Sequence, residues 1–165
     1  MITIKFGGSV INDLHPSALS DIKNLATTEK LVIVHGGGNE VTSIATKLGK
    51  EQKFIVSPSG IRCRLTDKET VEIYTMVMSG KVNKQIVQWL VKEGLRAVGI
   101  SGIDSGIIRA TRKSKLTIIN DKGRKMVIDG GYTGKIKSVD SELLKLLMGE
   151  GYLPVVSPIA LSEDY

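Results

Sequence analysis

Two glycine clusters and one lysine are the residues of this sequence best suited to binding an anion. Residues 7–8 follow the strand-like residues 2–6, and the three glycines at 36–38 follow the apolar residues 31–35. Because glycine has no side chain, its backbone can approach a ligand closely and present N–H groups to negative charge. Lys5 adds a cation that suits a transferring phosphoryl group. These residues predict a phosphate site, with tight turns and a solvated strand-end lysine as the alternatives.

The elements that position these residues follow a regular alternation. Short β-branched runs alternate with amphipathic stretches, which predicts an α/β fold with a mainly parallel sheet. Each glycine cluster follows a predicted strand and precedes a predicted helix, and ligands of open α/β sheets bind at that edge. Neither cluster fits the P-loop or the Rossmann fingerprint. His35, which ends a buried strand, is expected to be structural.

The middle of the chain is predicted to be helical, and a hairpin follows it. Thr66 and Glu69 have the spacing of a capping box, so we predict a helix that starts at Thr66. Gly80 is expected to separate this helix from a second one. Residues 116–120 and 125–129 then alternate with period two around a turn that contains glycine, which predicts a β-hairpin.

Composition excludes several classes of protein. The chain has 165 residues, 41% of them hydrophobic, and a net charge of +6, which is typical of a globular domain and not of a disordered one. The one cysteine excludes an intrachain disulfide, and two separated histidines exclude a Cys/His zinc site. No apolar run approaches the length of a membrane span. We therefore expect a cytoplasmic protein with no membrane partner.

Several short motifs carry a resemblance to a known family. In chain order they are residues 5–9 (KFGGS), 35–40 (HGGGNE), 59–62 (SGIR), 80–84 (GKVNK), 101–104 (SGID) and 130–136 (GGYTGKI). Together they resemble the amino acid kinase family, and those from residue 60 to residue 104 are similar to its acetylglutamate kinase branch. Residues 130–136 are similar to relatives that phosphorylate glutamate or α-aminoadipate attached to an acidic amino-group carrier protein. The resemblance implies a three-layer αβα sandwich with a mainly parallel central sheet plus β-hairpins.

The resemblance also implies a reaction and a set of site residues. The γ-phosphoryl group of ATP would pass to a side-chain carboxylate, giving an acyl phosphate in lysine or arginine biosynthesis. Mg²⁺ would bind through the nucleotide phosphates, and no metal held by the protein is implied. The implied residues are Lys5 for catalysis, Gly7 and Gly8 for phosphate, and Gly36, Gly37 and Arg62 for the amino-acid substrate. Arg62 would clamp the α-carboxylate, because a guanidinium offers a planar fork to two oxygens. A homodimer through the middle helices is implied as well.

Positive charge is concentrated in one part of the chain. Residues 109–137 contain nine lysines and arginines against two aspartates, so this stretch alone carries +7. One interpretation is a docking surface for an acidic carrier protein, because concentrated charge accelerates encounter. The residues proposed for it are Lys113, Lys115, Arg124 and Lys135. The alternative is an ordinary solvated hairpin face.

Kinases of this family have an amino-terminal half for the acyl substrate and a carboxyl-terminal half for ATP. We expect residues 1–165 to be the amino-acid-substrate domain, with the ATP-binding half absent and the chain alone unable to catalyse the reaction. A non-catalytic module that binds the acyl substrate or the carrier is an alternative. A basic RNA-binding domain is a remote one, since the sequence has few aromatics and no RRM, KH or OB signature. No nucleic-acid partner is expected.

Overall fold

The computed structural model describes residues 1–11 and 15–162. Its strands are β1 (Ile2–Phe6), β2 (Leu31–His35), β3 (Phe54–Val56), β4 (Arg62–Arg64), β5 (Ala97–Ser101), β6 (Ile108–Arg112), β7 (Lys115–Ile119), β8 (Lys125–Asp129), β9 (Gly134–Val139), β10 (Leu153–Ser157) and β11 (Leu161–Ser162). Its α-helices are α1 (Pro16–Ala26), α2 (Gly38–Lys47), α3 (Lys68–Thr75), α4 (Asn83–Lys92) and α5 (Glu142–Gly149). A π-helical segment, Met76–Val82, joins α3 to α4.

A parallel sheet in the order β1-β2-β10-β5 forms the centre of the fold. Its two central strands, β2 and β10, are largely apolar and buried on both faces, as buried parallel strands are. On one face, Ile33 and Val155 pack in a large core with residues of α1 to α4. On the other, Val32 and Val156 pack against Met148 of α5 in a smaller cluster. Helices therefore cover both faces, and the predicted three-layer αβα architecture is confirmed.

Two smaller sheets flank the central one. An antiparallel sheet in the order β4-β3-β7-β8 contains the hairpin that the sequence predicts, with Gly123 at a φ of +71° in its turn. A second sheet has the order β11-β6-β9, with β11 parallel and β9 antiparallel to β6. Strands β3, β4, β6 and β9 were not predicted; of these, β3 and β4 have only three residues each and show little periodicity.

The predicted start of the middle helix is wrong by one residue. Asp67, not Thr66, is the N-cap: its carboxylate accepts a hydrogen bond from the N–H of Thr70 at 2.8 Å. Lys50 also binds this carboxylate at 2.8 Å. These hydrogen bonds, the Lys50 contact foremost, lower the pKa of Asp67 to about 2. The carbonyl of Thr66 instead accepts from the N–H of Tyr132, at 2.7 Å.

The predicted helix break at Gly80 is also wrong. Gly80 lies inside the π-helical segment, so the chain is helical from Lys68 to Lys92 without a loop. The π-helical turns take the place of a break and bring Met78 and Val82 into the core. Within the described ranges, none of the helices is long and apolar enough to cross a membrane.

Candidate functional site

The two glycine loops contact each other at the carboxyl edge of the central sheet. β1 and β2 pair in parallel, with Phe6 opposite His35, so the loops that follow them start side by side. A Cβ on Gly8 would lie 2.7 Å from the backbone nitrogen of Gly37. A Cβ on Gly36 would lie 2.9 Å from the backbone nitrogen of Gly8. Glycine is therefore needed at both positions for the loops to approach this closely.

The N–H groups of these loops differ in whether they already donate a hydrogen bond within the fold. The N–H of Gly36 donates to the carbonyl of Phe6 at 2.8 Å, which continues the pairing of β1 with β2. It is therefore engaged within the sheet. Gly37 immediately precedes α2, whose first N–H groups have no acceptor inside the helix. The N–H groups at the start of α2 are thus the donors that can face an anion at this edge.

Gly37 is also the point where the loop contacts the π-helical segment. A Cβ there would lie 2.7 Å from the sulfur of Met78 and 3.3 Å from a methyl group of Val82. Both of these side chains are buried, with exposures of 0% and 1%. The π-helical segment therefore packs against the second glycine loop, because its turns place Met78 and Val82 against Gly37.

A buried polar network links the second glycine loop to α4 and to β10. His35 Nδ1 lies 2.9 Å from the carbonyl oxygen of Gly36, and since a carbonyl only accepts, Nδ1 carries the proton. Nε2 then accepts from the Nδ2 amide of Asn83 at 3.2 Å. The same amide donates to the carbonyl of Val155 at 2.9 Å. Lys84 donates to the side-chain oxygen of Asn83 at 3.2 Å, which agrees with this orientation of the amide.

His35 is therefore structural, as the sequence predicts. Burial lowers the pKa of His35, and its hydrogen bond to Gly36 opposes this in part. A charged imidazole would place an N–H at Nε2 against the amide donor of Asn83. The network thus holds His35 neutral and ties the end of β2 to β10 and to the start of α4.

Lys5 is exposed on the opposite face of β1 from Phe6. Its register partner is Val34, which packs with the α5 cluster, so Lys5 lies on the α5 face of the sheet. Its ammonium has no hydrogen-bond or ion-pair partner among the described residues. A cation on the penultimate residue of β1 is within two residues of the first glycine loop, and it is available to an anionic ligand.

Arg64 attaches the β3–β4 hairpin to the glycine edge. Its guanidinium donates to the carbonyl of Gly38 and to the hydroxyl of Thr42, both at 3.0 Å, and also to the side chain of Gln52. Burial lowers the pKa of Arg64. Sequence reasoning missed this role. The signal available was the spacing of Arg62 and Arg64, since residues two apart on a strand share a face.

Arg62 is exposed and stacks on the ring of Phe54. The centre of its guanidinium lies 4.0 Å from the ring centroid. It occupies the same face of β4 as Arg64, whose guanidinium contacts the first residue of α2. Arg62 therefore lies on the same hairpin face as the arginine that contacts α2, and its N–H groups form no hydrogen bond among the described residues.

A cavity of about 430 Å³ lies between α3, the three-stranded sheet and the segment after β10. Its lining includes Arg64, Tyr74, Ile108, Arg112, Tyr132 and Ile159. Most of the lining is apolar, and burial raises the pKa of Tyr74. Arg64 contacts both this cavity and α2, so it connects the cavity with the glycine edge.

The motif at residues 130–136 forms one wall of the cavity. A Cβ on Gly131, which has a φ of +54°, would lie 2.2 Å from the carbonyl oxygen of Thr66. Arg112 donates to the carbonyl of Gly131 at 2.6 Å and pairs with Asp129 at 2.7 Å. Asp129 also accepts from the N–H of Gly131, and this bond, followed by the Arg112 pair, holds the pKa of that carboxyl below its usual value. The wall is thus fixed to the start of α3.

Comparison with known proteins decides the family. The model of the "Amino acid kinase family" matches residues 1–165. The chain belongs to this family. It is 60% identical over 164 residues to a protein of Nitrosopumilus maritimus named provisionally as a LysW-aminoadipate/LysW-glutamate kinase, covering 99% of this chain and 61% of that protein. It is 43% identical to the LysW-aminoadipate/LysW-glutamate kinase of Metallosphaera sedula, covering 99% of this chain and 62% of that protein.

Solved structures show the amino acid kinase fold. The crystal structure of smu.665 from Streptococcus mutans matches with a TM-score of 0.77 at 20% identity, over 98% of this chain and 60% of that one. An isopentenyl phosphate kinase matches with a TM-score of 0.56 at 24% identity, over 99% of this chain and 59% of that one. The chain spans about three-fifths of the length of the curated relatives it matches.

The amino acid kinase fold places the predicted docking residues at two ends of a hairpin. Lys113, Lys115, Arg124 and Lys135 are all exposed. The N–H of Lys113 donates to the carbonyl of Thr133 at 2.8 Å, so Lys113, Lys115 and Lys135 belong to neighbouring backbone. Arg124 pairs with Asn120 at the turn end of β7–β8, five residues and about 17 Å along the strand from Lys115. The predicted basic residues therefore border one hairpin but form two groups.

Proposed function

We propose that residues 1–165 are the amino-acid-substrate part of a carboxylate kinase. The reaction transfers the γ-phosphoryl group of ATP to the side-chain carboxylate of α-aminoadipate or glutamate, giving an acyl phosphate. The observation that carries the proposal is the attachment of β4, the strand that contains Arg62, to α2 through the hydrogen bonds of Arg64. The substrate class is supported by the names of the two related proteins from Nitrosopumilus maritimus and Metallosphaera sedula.

Each group at this edge has a role that its chemistry suits. Arg62 binds the α-carboxylate of the acceptor in a bidentate manner. The N–H groups at the start of α2 and around Gly8 hold oxygens of the acceptor carboxylate and of the transferring phosphoryl group. Lys5 stabilises the negative charge that this group carries during transfer. Catalysis here consists of aligning two anions and neutralising them, so no proton-transfer residue is needed.

The nucleotide binds outside the part of the chain described here. Within the described ranges, no three His, Cys, Asp or Glu side chains lie together in a way that would hold a metal ion. We propose that Mg²⁺ arrives bound to the phosphates of ATP. The oxygen of the acceptor carboxylate forms the new bond to the γ-phosphorus, the bond to the β–γ bridging oxygen breaks, and ADP leaves.

The cavity suits the rest of the acceptor. Its apolar walls, Tyr74, Ile108 and Ile159, fit a methylene chain, and its volume of about 430 Å³ leaves room for the amide that joins the amino acid to a carrier. The exposed cations Lys113, Lys115, Arg124 and Lys135 then bind an acidic carrier protein along the β7–β8 hairpin. Homodimerisation through the helices between Lys68 and Lys92 completes the proposal.

An ATP-dependent hydroxamate assay tests this function. Acyl phosphates react with hydroxylamine, so carrier-linked α-aminoadipate or glutamate should give a hydroxamate with the full-length protein that contains this chain, and N-acetylated substrates should give less. Arg62→Ala should raise the KM for the acceptor while leaving the KM for ATP unchanged. The absence of hydroxamate from all four substrates would overturn the proposal. Turnover by residues 1–165 alone would overturn the placement of the nucleotide site.

A further inference from the structure

An aromatic ring lies between the two arginines of β4. Phe54 of β3 is the register partner of Arg64 and the diagonal neighbour of Arg62. The centres of the two guanidinium groups lie 4.0 Å and 5.0 Å from its ring centroid, which is within the range of cation–π contacts. The three side chains form a stacked row on one face of the hairpin.

The two arginines differ in what else holds them. Arg64 has three hydrogen-bond partners and is partly buried. Arg62 is exposed and forms no hydrogen bond or ion pair among the described residues, and its guanidinium stacks on the ring of Phe54. Stacking restrains a guanidinium at its face and leaves its N–H groups, which point outward in the plane, free to bind.

Phe54 is itself only loosely packed. Its side chain is 37% exposed, and it is not part of either core cluster. An exposed phenylalanine at the end of a three-residue strand contributes little to the core. Its contacts with the two guanidinium groups are the feature that distinguishes this position from other exposed apolar residues of the same sheet.

We propose that Phe54 is a positioning residue for substrate binding. Its ring holds the guanidinium of Arg62 in the orientation that receives the α-carboxylate of the acceptor, so the carboxylate meets a restrained fork rather than a mobile side chain. The inference rests on the proposed function, and it adds to the proposed site a residue that does not touch the substrate. A loss of the ring therefore weakens acceptor binding without slowing phosphoryl transfer.

The test compares Phe54→Leu with Phe54→Tyr in the full-length protein. Leu keeps an apolar side chain and removes the ring, and it should raise the KM for the carrier-linked acceptor roughly 3- to 30-fold, with kcat and the KM for ATP within about 2-fold. Tyr keeps the ring and should stay within about 2-fold of the wild type. Leu146→Ala, at a 62% exposed position of α5, is the matched control and should change neither constant. An unchanged KM in Phe54→Leu, or equal damage by Tyr and Leu, would overturn the proposal.

Two further measurements separate this inference from the function on which it rests. In an Arg62→Ala background, Phe54→Leu should add no further rise in KM, and an additive effect would contradict the coupling. Side-chain NMR of ligand-free protein needs no activity: the ring current of Phe54 should shift the Arg62 side-chain protons, and Phe54→Leu should remove that shift. If no kinase activity is found but the shift is present, the function fails and the positioning contact stands; if the shift is absent, the contact itself is refuted.

Discussion

Gly37 and Gly38 are adjacent glycines with different surroundings. A Cβ on Gly37 would lie 2.7 Å from the sulfur of buried Met78, whereas a Cβ on Gly38 has no neighbour within 4 Å. The glycine cluster is uniform in sequence, yet one position is restricted by packing and the next is not. The difference follows from the contact with the π-helical segment and not from the local sequence.

Gly37→Ala should therefore destabilise the fold, and Gly38→Ala should not. We expect Gly37→Ala to lower the free energy of unfolding by about 1–3 kcal/mol, because a methyl group is forced into a packed site. Gly38→Ala is the matched control and should change it by less than about 1 kcal/mol, or raise it, since alanine is favoured over glycine in a helix. Urea unfolding measures both. Equal losses in the two variants would contradict the packing of residues 76–82 on this loop.

His35 gives the stability of the fold a defined dependence on pH. Its pKa is lowered in the folded protein from 6.5, so the unfolded chain binds a proton that the folded chain resists. The contribution of this group is fully present above pH 6.5 and is lost as the pH falls below that value. We expect the free energy of unfolding to fall between pH 7 and pH 5, and to fall less steeply in His35→Asn. Parallel pH profiles for the two proteins would refute the buried neutral imidazole.

At the scale of elements, the region from Lys68 to Lys92 separates what periodicity can predict from what it cannot. The apolar spacing on both sides of Gly80 predicted helices correctly. The break at Gly80 was wrong, because glycine is a statistical helix breaker and the π-helical turns accommodate it. The N-cap at Thr66 was wrong because the carbonyl of Thr66 binds Tyr132, sixty-six positions later in the chain.

Gly80→Ala tests the continuous helix directly. Gly80 has helical geometry and open space around it, so alanine should leave the free energy of unfolding unchanged or raise it by up to about 1 kcal/mol. Gly49 also has open space but a φ of +78°, and Gly49→Ala should lower it by about 1–2 kcal/mol. Thermal or urea unfolding of the two variants distinguishes them. A loss in Gly80→Ala as large as that in Gly49→Ala would show a break at Gly80.

At the scale of the whole molecule, charge is unevenly distributed. The +7 of residues 109–137 exceeds the net charge of the chain, +6, so the remainder is slightly acidic. The structure takes one of these cations out of the exposed set, because Arg112 is half-buried and pairs with Asp129. The exposed lysines and Arg124 border β7–β8, which is where an acidic partner is proposed to bind.

Salt should therefore affect the KM for the carrier-linked substrate more than the KM for the N-acetylated substrate. Raising the ionic strength screens exposed charges, so the KM for the carrier-linked substrate should increase with salt while the KM for the acetylated substrate changes little. Reversing the charges of Lys113, Lys115 and Arg124 should raise the KM for the carrier-linked substrate by about tenfold or more. It should also remove most of the salt dependence of that KM. Steady-state kinetics at two salt concentrations measures this. Equal salt effects on both substrates would exclude the docking surface.

The sequence by itself determined the local parts of this protein. Strand β1, the buried runs of β2 and β10, the turn of β7–β8 and the glycines at the sheet edge follow from residue types a few positions apart. Local periodicity is sufficient there, because burial on both faces and positive φ angles constrain the residues individually.

Tertiary structure decided how these parts meet. It assigned the N–H of Gly36 to the sheet, made Arg64 the attachment of the hairpin to α2, and placed Phe54 between the two arginines. The first two of these contacts join residues that are more than twenty positions apart, and the third lies within one hairpin. A pattern read along the chain carries no information on which distant donor reaches which acceptor. That information exists only once the sheet, the helices and the hairpin are packed together.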